Sequence, residues 1–160
     1  MARVAPLPVD PAGNAVTNSV LARVLGRRPE ILAAFGRLDA AARFHGLLSP
    51  ALKESLRRAT AGEIGCAYCE SLGTGTPEPA DRRESLAVAF AKMIAEDPAG
   101  ISDAQFDVLR EEFTEEEIVE LVAFVCFVGI AGQMFGAVMG LEAADPEEAA
   151  AYQAVLERRG

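Results

Sequence analysis

Apolar residues recur along most of the chain at the spacing of α-helices. Leu86, Phe90, Met93 and Ile94 fall on one helical face. No segment alternates between apolar and polar residues over the length of a strand. The proline-rich residues 1–14 lack this spacing and are expected to form an extended N-terminal arm. The pattern therefore predicts an all-α protein with a single helical domain over residues 15–160.

Polar residues mark the points where several of these helices begin. Asp81 precedes Glu84, and Thr114 precedes Glu117, at the spacing of an N-cap and the third helical residue. The clearest loop is GTGTPEP, residues 73–79. We predict helices over residues 15–26, 30–45, 50–61, 65–72, 82–96, 103–112 and 115–140, with a short tail helix over 146–158.

Residues 121–140, LVAFVCFVGIAGQMFGAVMG, form an apolar segment long enough to span a bilayer. Only Gln133 is strongly polar, and Gly132, Gly136 and Gly140 have the spacing of closely packed membrane helices. The flanking sequences EEFTEEEIVE and EAADPEE are acidic and lack the basic cluster that orients a membrane helix. We therefore favour a buried helix in a compact homo-oligomer over a membrane span.

Composition narrows the class of partners. The 160 residues carry 15 Lys and Arg against 24 Asp and Glu, a net charge of −9 that repels nucleic acid. Three cysteines are too few for a disulfide-stapled scaffold. The start MARVAPLPVDPAGNA lacks the apolar run of a secretory signal, so we expect a cytoplasmic protein.

The sharpest chemical feature is the sequence Cys66-Ala67-Tyr68-Cys69. Two cysteines three residues apart on a helix share a face and can form a redox disulfide. Gly62 and Gly65 before them suggest that Cys66 stands at a helix N-terminus, where thiolate is favoured. Two inert buried thiols, or half of a zinc site, are the alternatives. Zinc needs about four ligands, and the chain has no second CxxC.

Glu54 lies on the preceding predicted helix. If the two helices pack as a hairpin, its carboxylate could reach the thiols and accept a proton from one of them. The alternative is a solvated helix residue beside Lys53, Arg57 and Arg58.

Cys126 lies in an apolar run and is expected to be a buried thiol without a chemical role.

The arrangement Glu54-(eleven residues)-Cys66-x-x-Cys69 resembles the active-site signature of alkylhydroperoxidase D-like proteins, in the carboxymuconolactone decarboxylase superfamily. Residues 28–54 and 86–127 are similar to the regions on either side of that signature, so the resemblance covers about residues 18–142. It implies an all-α fold assembled as trimers or hexamers. True decarboxylases of this superfamily generally lack the cysteine pair, which argues against a decarboxylase.

The resemblance also implies a chemistry. Cys69 would attack a hydroperoxide, Cys66 would resolve the resulting sulfenic acid as a disulfide, and Glu54 would accept the proton. An external dithiol, in some members a lipoyl group on a carrier protein, would reduce the disulfide. No metal or flavin cofactor is implied.

One position departs from the family pattern CxxCxxxH, because Gly73 stands where the motif has histidine. Losing a general acid–base group typically costs about 10²–10⁴-fold in rate. His45 is the chain's only histidine, and it could move towards Glu54, although a structural role is the alternative. Restoring Gly73→His is expected to raise peroxide turnover.

Two functions follow from these residues. The first is a thiol-dependent peroxidase using Cys66, Cys69 and Glu54, weakened by the missing histidine. The second is a non-enzymatic member of the same fold, a redox sensor or a small-molecule binder.

Overall fold

A computed structural model describes residues 2–73 and 78–159 of the chain, and within these ranges every regular element is helical. The prediction of an all-α fold is confirmed. The helices are α1 (Val20–Leu25), α2 (Pro29–Phe44), α3 (Pro50–Ile64), α4 (Ala67–Ser71), α5 (Arg82–Glu96), α6 (Asp103–Arg110), α7 (Glu115–Phe124), α8 (Ala131–Met139) and α9 (Pro146–Arg159). A 3₁₀ turn (Pro98–Gly100) precedes α6, and a π-helical segment (Val125–Ile130) joins α7 to α8.

Most helix bounds agree with the sequence patterns because local capping sets them. Thr114 and Glu117 form the predicted capping box, with the Thr114 amide donating to Glu117 Oε2 at 2.9 Å and the Glu117 amide donating to Thr114 Oγ1 at 3.3 Å. The first helix begins at Val20 rather than residue 15, and the boundary prediction was wrong there. Asn14 and Thr17 exchange backbone–side-chain hydrogen bonds that compete with a helix. Within the predicted loop over 73–79, residues 74–77 lie outside the described part of the chain.

Helix α3 stands at the centre of the fold. It packs against α5, the π-helical segment and α4. The larger core cluster lies along this packing and includes Leu56, Phe90, Leu121 and Phe124. A second, smaller cluster includes Val24, Leu141 and both cysteines of the CxxC motif. The motif is therefore buried in a core of its own, beside the main one.

The helix running from Glu115 to Met139 is long and apolar enough, by length and composition, to cross a membrane. Its inner face supplies Leu121, Phe124 and Val128 to the core, while Phe127 and Val138 are exposed. The helix is therefore apolar on both sides, with one side packed against α3 and the other open. The predicted buried helix is thus buried along one side of the single chain.

Candidate active site

The two cysteines of the motif meet at the start of α4. Gly65 ends α3 in the left-handed conformation, at φ 71°, and Cys66 is the N-cap of α4, as expected. The sulfur atoms lie 2.22 Å apart, with Cα atoms separated by 5.2 Å. The Cys69 amide donates to Cys66 Sγ at 3.2 Å. Gly62, in contrast to the sequence interpretation, lies inside α3 rather than between the helices.

Gly136 of α8 is the residue against which the sulfurs pack. A Cβ atom at this position would lie 2.6 Å from Cys66 Sγ and 3.6 Å from Cys69 Sγ. Only glycine permits this approach, because no Cβ atom fits at such a distance. Two glycines of the apolar segment are thus explained by contacts within the chain. Gly136 contacts the sulfurs, and Gly132 faces the ring of Phe35.

A cavity of about 440 Å³ opens beside the second cysteine. Cys69 lines the cavity, whereas Cys66 is fully buried and absent from its wall. The wall is largely apolar, with residues such as Leu32 and Phe35 from α2 and Val128 from the π-helical segment. A volume of this size accepts a drug-sized organic molecule. The geometry gives the two sulfurs different access, one to the cavity and one to the interior.

Glu54 is held in a network of charged side chains behind the cavity wall. Arg57 donates to Glu54 Oε1 at 2.6 Å and to Oε2 at 2.9 Å, and Arg43 donates to Oε2 at 3.2 Å. Arg57 also bonds the carbonyls of Cys69 at 2.9 Å and Leu72 at 3.0 Å. The alternative of a solvated Glu54 does not hold, because its side chain is 13% exposed and that of Arg57 is 6% exposed. The helix hairpin brings Glu54 to the backbone of α4 through this guanidinium.

Tyr152 of α9 completes the network. Its hydroxyl donates to Glu54 Oε2 at 2.7 Å and accepts from Arg43 Nη1 at 3.0 Å, while Arg57 lies over its ring at 5.2 Å. Tyr152 also lines the cavity beside Cys69. Burial raises the pKa of Tyr152, the two arginines oppose that rise, and the carboxylate of Glu54 adds to it. The phenol therefore keeps its proton at neutral pH.

Gln133 is a further polar residue of the cavity wall. It is 2% exposed, and its Nε2 donates to the carbonyl of Arg57 at 2.6 Å. Since only the amide nitrogen can donate to a carbonyl, the orientation of the amide is fixed. Its Oε1 is buried without a hydrogen-bond partner among the described residues. A buried acceptor without a hydrogen bond costs free energy of folding, and a hydrogen-bond donor on a bound molecule would satisfy it.

His45 lies elsewhere. It ends α2, its carbonyl accepts from Lys53 Nζ at 2.5 Å, and its side chain lines a different cavity beside Glu120. Lys53 is fully buried and pairs with Glu120 at 2.6 Å. His45 is thus exposed and absent from the wall of the Cys69 cavity, and the contact with Lys53 is made by its backbone carbonyl.

The signals for Tyr152, Gln133 and Arg43 in the sequence are weaker than those for the cysteines. Gln133 was visible as the one strongly polar residue of an apolar segment. The chain has two tyrosines, Tyr68 and Tyr152, and both line the cavity. Arg43 carried no signal, because an arginine near a helix end is ordinarily solvated.

The described ranges hold no group of three or more His, Cys, Asp or Glu side chains arranged around a metal ion. Cys126 is half-buried, and burial raises the pKa of its thiol. It lies in the π-helical segment, away from the cavity wall.

The sequence matches no protein-family model and no curated protein. Solved structures do share its architecture. A cysteine-to-alanine variant of debrominase Bmp8 in complex with 2,3,4-tribromopyrrole superposes with a TM-score of 0.72 and 17% identity, over 98% of this chain and 100% of that one.

Two further structures are named as peroxidase-related. The "alkylhydroperoxidase AhpD core" protein from Ralstonia eutropha JMP134 has a TM-score of 0.70 and 22% identity, over 82% of this chain and 80% of that one. An uncharacterized peroxidase-related protein from Silicibacter sp. TM1040 has a TM-score of 0.68 and 17% identity, over 82% and 79%. With its all-helical architecture and buried CxxC motif, this chain has the alkylhydroperoxidase D-like fold.

Proposed function

We propose that this protein is a thiol-dependent peroxidase that reduces hydroperoxides with Cys69 and Cys66. The observation that carries the proposal is the unequal access of the two sulfurs. Cys69 borders an apolar cavity, and Cys66 lies behind it, within bonding reach but away from the cavity. A peroxide in the cavity meets Cys69 first, which makes Cys69 the attacking thiol and Cys66 the resolving thiol.

The reaction takes two electrons from the thiol pair. The Cys69 thiolate attacks the terminal peroxide oxygen, the O–O bond breaks, and an alcohol leaves. Cys66 then attacks the Cys69 sulfenic acid, expels water and forms the disulfide. The guanidinium of Arg57, fixed at the carbonyl of Cys69, places a positive charge near the attacking group. Glu54 is the proton acceptor of the site.

Gln133 supports a substrate of this kind. A hydroperoxide carries one O–H donor on an apolar body, and Gln133 of the largely apolar cavity wall carries a buried acceptor without a hydrogen-bond partner among the described residues. Placing the peroxide O–H against Gln133 Oε1 satisfies the buried oxygen. Apolar hydroperoxides such as cumene hydroperoxide are therefore expected to react faster than hydrogen peroxide.

The test measures peroxide consumption with a dithiol reductant, alongside mass spectrometry of the peptide that contains residues 66–69. Cys69→Ser is expected to abolish turnover, and Cys66→Ser to stop it after one sulfenic acid per chain. Cys126→Ser is the matched control and keeps the wild-type rate. If peroxide leaves Cys66 and Cys69 as free thiols, the proposal is wrong. If they oxidise without turning over, the chain is a redox sensor.

A second candidate, reductive dehalogenation, is favoured by the same acceptor. The debrominase structure holds a brominated pyrrole, whose ring N–H is a single donor on an apolar body. In this chain the two thiols would supply two electrons, carbon–bromine would become carbon–hydrogen, and bromide would leave as the disulfide forms. Bromide release from a polybrominated pyrrole by the reduced protein tests this candidate. Peroxide consumption without bromide release excludes it.

We further propose that the protein is a cytoplasmic homo-oligomer, a trimer or a hexamer. Val119, Phe127, Met134 and Val138 are large, exposed and spaced along one side of the helix from Glu115 to Met139. Such a stripe is typical of a subunit interface. Sedimentation without detergent is expected to give a mass well above 16.9 kDa. Phe127→Glu should shift the mass towards one chain, and a wild-type monomer would contradict the proposal.

The reductant of the disulfide is proposed to be an external dithiol. Dihydrolipoamide is the natural probe, because the resemblance implies a lipoyl group on a carrier protein. Turnover with dihydrolipoamide that exceeds turnover with dithiothreitol at equal concentration supports a lipoylated partner. Equal rates contradict it.

A further inference from the structure

Tyr152 is distinctive among the side chains that bond Glu54. Among the described residues, hydrogen bonds to the Glu54 carboxylate come from Arg43, Arg57 and Tyr152. All three also line the cavity of Cys69, whereas Glu54 does not. Arginine keeps its protons in proteins, so it cannot relay one. The Tyr152 hydroxyl can release a proton and can also accept one on a free lone pair.

Asp39 and Tyr68, two other titratable residues of the cavity wall, are hydrogen-bonded to residues other than Glu54. Asp39 is held by Arg43 at 2.7 Å, and the hydroxyl of Tyr68 donates to Glu148 Oε1 at 2.5 Å. Neither group bonds Glu54 among the described contacts. Among the described residues of this wall, Tyr152 is thus the one group able to transfer a proton that is hydrogen-bonded to the carboxylate of Glu54.

Glu54 itself borders a second cavity, of about 550 Å³, which shares no lining residue with the first. That cavity runs along α9, past Gln153 and Leu156. Tyr152 therefore lines the cavity of Cys69 and is hydrogen-bonded to the carboxylate, and the carboxylate borders the separate cavity. A relay needs its groups in this order, from the cavity of the thiol to the phenol, to the carboxylate and to the second cavity.

We infer that Tyr152 is the proton relay of the site and serves where the related motif has a histidine and this chain has Gly73. The inference rests on the proposed peroxidase activity and adds a catalytic residue to it. In the first step the Cys69 thiol proton passes to Tyr152, directly or through one water, as Tyr152 passes its own proton to Glu54.

In the second step the thiolate sulfur forms a bond to the terminal peroxide oxygen. The O–O bond breaks and its electron pair leaves with the second oxygen as an alkoxide. The alkoxide takes the phenol proton of Tyr152, and the phenolate recovers a proton from Glu54. Sulfur is oxidised, the peroxide is reduced to an alcohol, and all groups except Cys69 return to their starting protonation.

The surroundings of the phenol suit both steps. Burial keeps the proton on Tyr152 in the resting site, and the guanidiniums of Arg43 and Arg57 stabilise a transient phenolate. An alkoxide is a much stronger base than a phenolate, so proton transfer to the leaving group is downhill. The carboxylate that faces Tyr152 belongs to Glu54 of α3, and the two cations belong to α2 and α3.

The test compares two oxidants whose leaving groups differ in basicity. In a Cys66→Ser background, stopped-flow measurements follow single-turnover sulfenic acid formation at Cys69. They are made at a pH where alkylation of Cys69 has reached its plateau in both variants, so that the thiolate is already formed and only the leaving-group step is compared. Cumene hydroperoxide releases an alkoxide that needs a proton, whereas peracetic acid releases acetate, which needs none. Tyr152→Phe keeps the aromatic ring and removes the hydroxyl. It is expected to slow the reaction with cumene hydroperoxide about 100-fold, and that with peracetic acid less than about threefold.

Each outcome decides one point. Equal slowing of both oxidants, or of neither, overturns the relay, because a merely structural role cannot distinguish leaving groups. Tyr68→Phe removes the other phenol of the cavity and is expected to show no selectivity between oxidants. If the Cys66→Ser parent reacts with neither oxidant faster than free cysteine does, the peroxidase proposal itself fails. The two failures are therefore separate.

Discussion

Two neighbouring residues of α3, Lys53 and Glu54, anchor two different charged clusters. Lys53 is fully buried, pairs with Glu120 at 2.6 Å and bonds the carbonyl of His45. The Glu120 carboxylate also accepts from the amides of Leu47 and Leu48. The contacts of this cluster connect separate segments of the backbone. Together they join the end of α2 and the segment after it to α7.

The cluster of Glu54 is built differently. Its partners Arg43, Arg57 and Tyr152 reach the wall of a cavity that also holds a cysteine. Ion pairs between a cation and a glutamate thus stabilise a contact between helices in the Lys53 cluster, and border the cavity of a cysteine in the Glu54 cluster. A buried ion pair indicates function only where its members also face a cavity and a reactive atom.

The largest effect that separates the clusters is expected from matched glutamine substitutions. Glu54→Gln should lower peroxide turnover about 10²–10⁴-fold, because it removes the proton acceptor and keeps the shape. Glu120→Gln should leave the rate per folded chain near wild type and lower the midpoint of urea unfolding. Steady-state kinetics and denaturation on both variants give the comparison. Equal losses of activity in the two variants would erase the distinction.

Lys53→Met tests the structural cluster directly. Removing one partner of a buried pair leaves the other charge uncompensated, and the expected loss is about 3 kcal/mol of unfolding free energy. Lys92 is the only other lysine and is exposed, so Lys92→Met is the control, with a change within about 0.5 kcal/mol. Urea denaturation provides the measurement. Similar stability in the two variants would contradict the burial argument.

Gly73, which stands where the related motif has histidine, lies beside the carboxylate of Glu54. Its φ of 87° disfavours any side chain, and an added Cβ would lie 3.3 Å from Glu54 Oε1. Gly73→Ala and Gly73→His should therefore each lose about 1–2 kcal/mol of stability. An imidazole placed beside the carboxylate should still make Gly73→His about tenfold faster than Gly73→Ala in peroxide consumption. Equal rates would mean that position 73 takes no part in proton transfer in this chain.

The smallest expected effect is a difference in acid sensitivity. Burial acts to raise the pKa of Glu120, but hydrogen bonds from Lys53 and from the amides of Leu47 and Leu48 outweigh it and lower the pKa below 4.5. A carboxylate with a lowered pKa adds stability above its unfolded pKa, and this stability disappears as pH falls through the folded value. Wild type should therefore lose more stability than Glu120→Gln when the pH is lowered below about 4.5. Parallel curves of unfolding free energy against pH would contradict this.

The sequence predicted the fold more completely than the site, for a physical reason. Helix periodicity, capping and the N-terminal position of Cys66 are local properties, and they hold in the structure. The contact between Glu54 and Tyr152 joins residues far apart in sequence and depends on how α9 packs against α3. No local pattern encodes that packing.

Arg57 illustrates the limit. Beside Arg58 on a helix it has the pattern of a solvated basic face, yet its guanidinium is enclosed by Glu54 and by the carbonyls of α4. The direction in which an arginine points is decided by tertiary partners. Gln133, by contrast, was recognisable, since a polar residue in an apolar helix needs a local reason.

Gly136 carries a consequence for the descent of this site. A side chain there would collide with the sulfur of Cys66, so the glycine and the thiol pair constrain each other. A lineage that replaced Gly136 would have to move α8 or give up the pair. A lineage that lost the cysteines would still keep the helices but would lose one reason to retain the glycine. Across distant relatives, glycine at this point of the apolar helix should therefore be inherited together with the CxxC motif, and it would distinguish chains that keep the thiol chemistry from chains that keep only the fold.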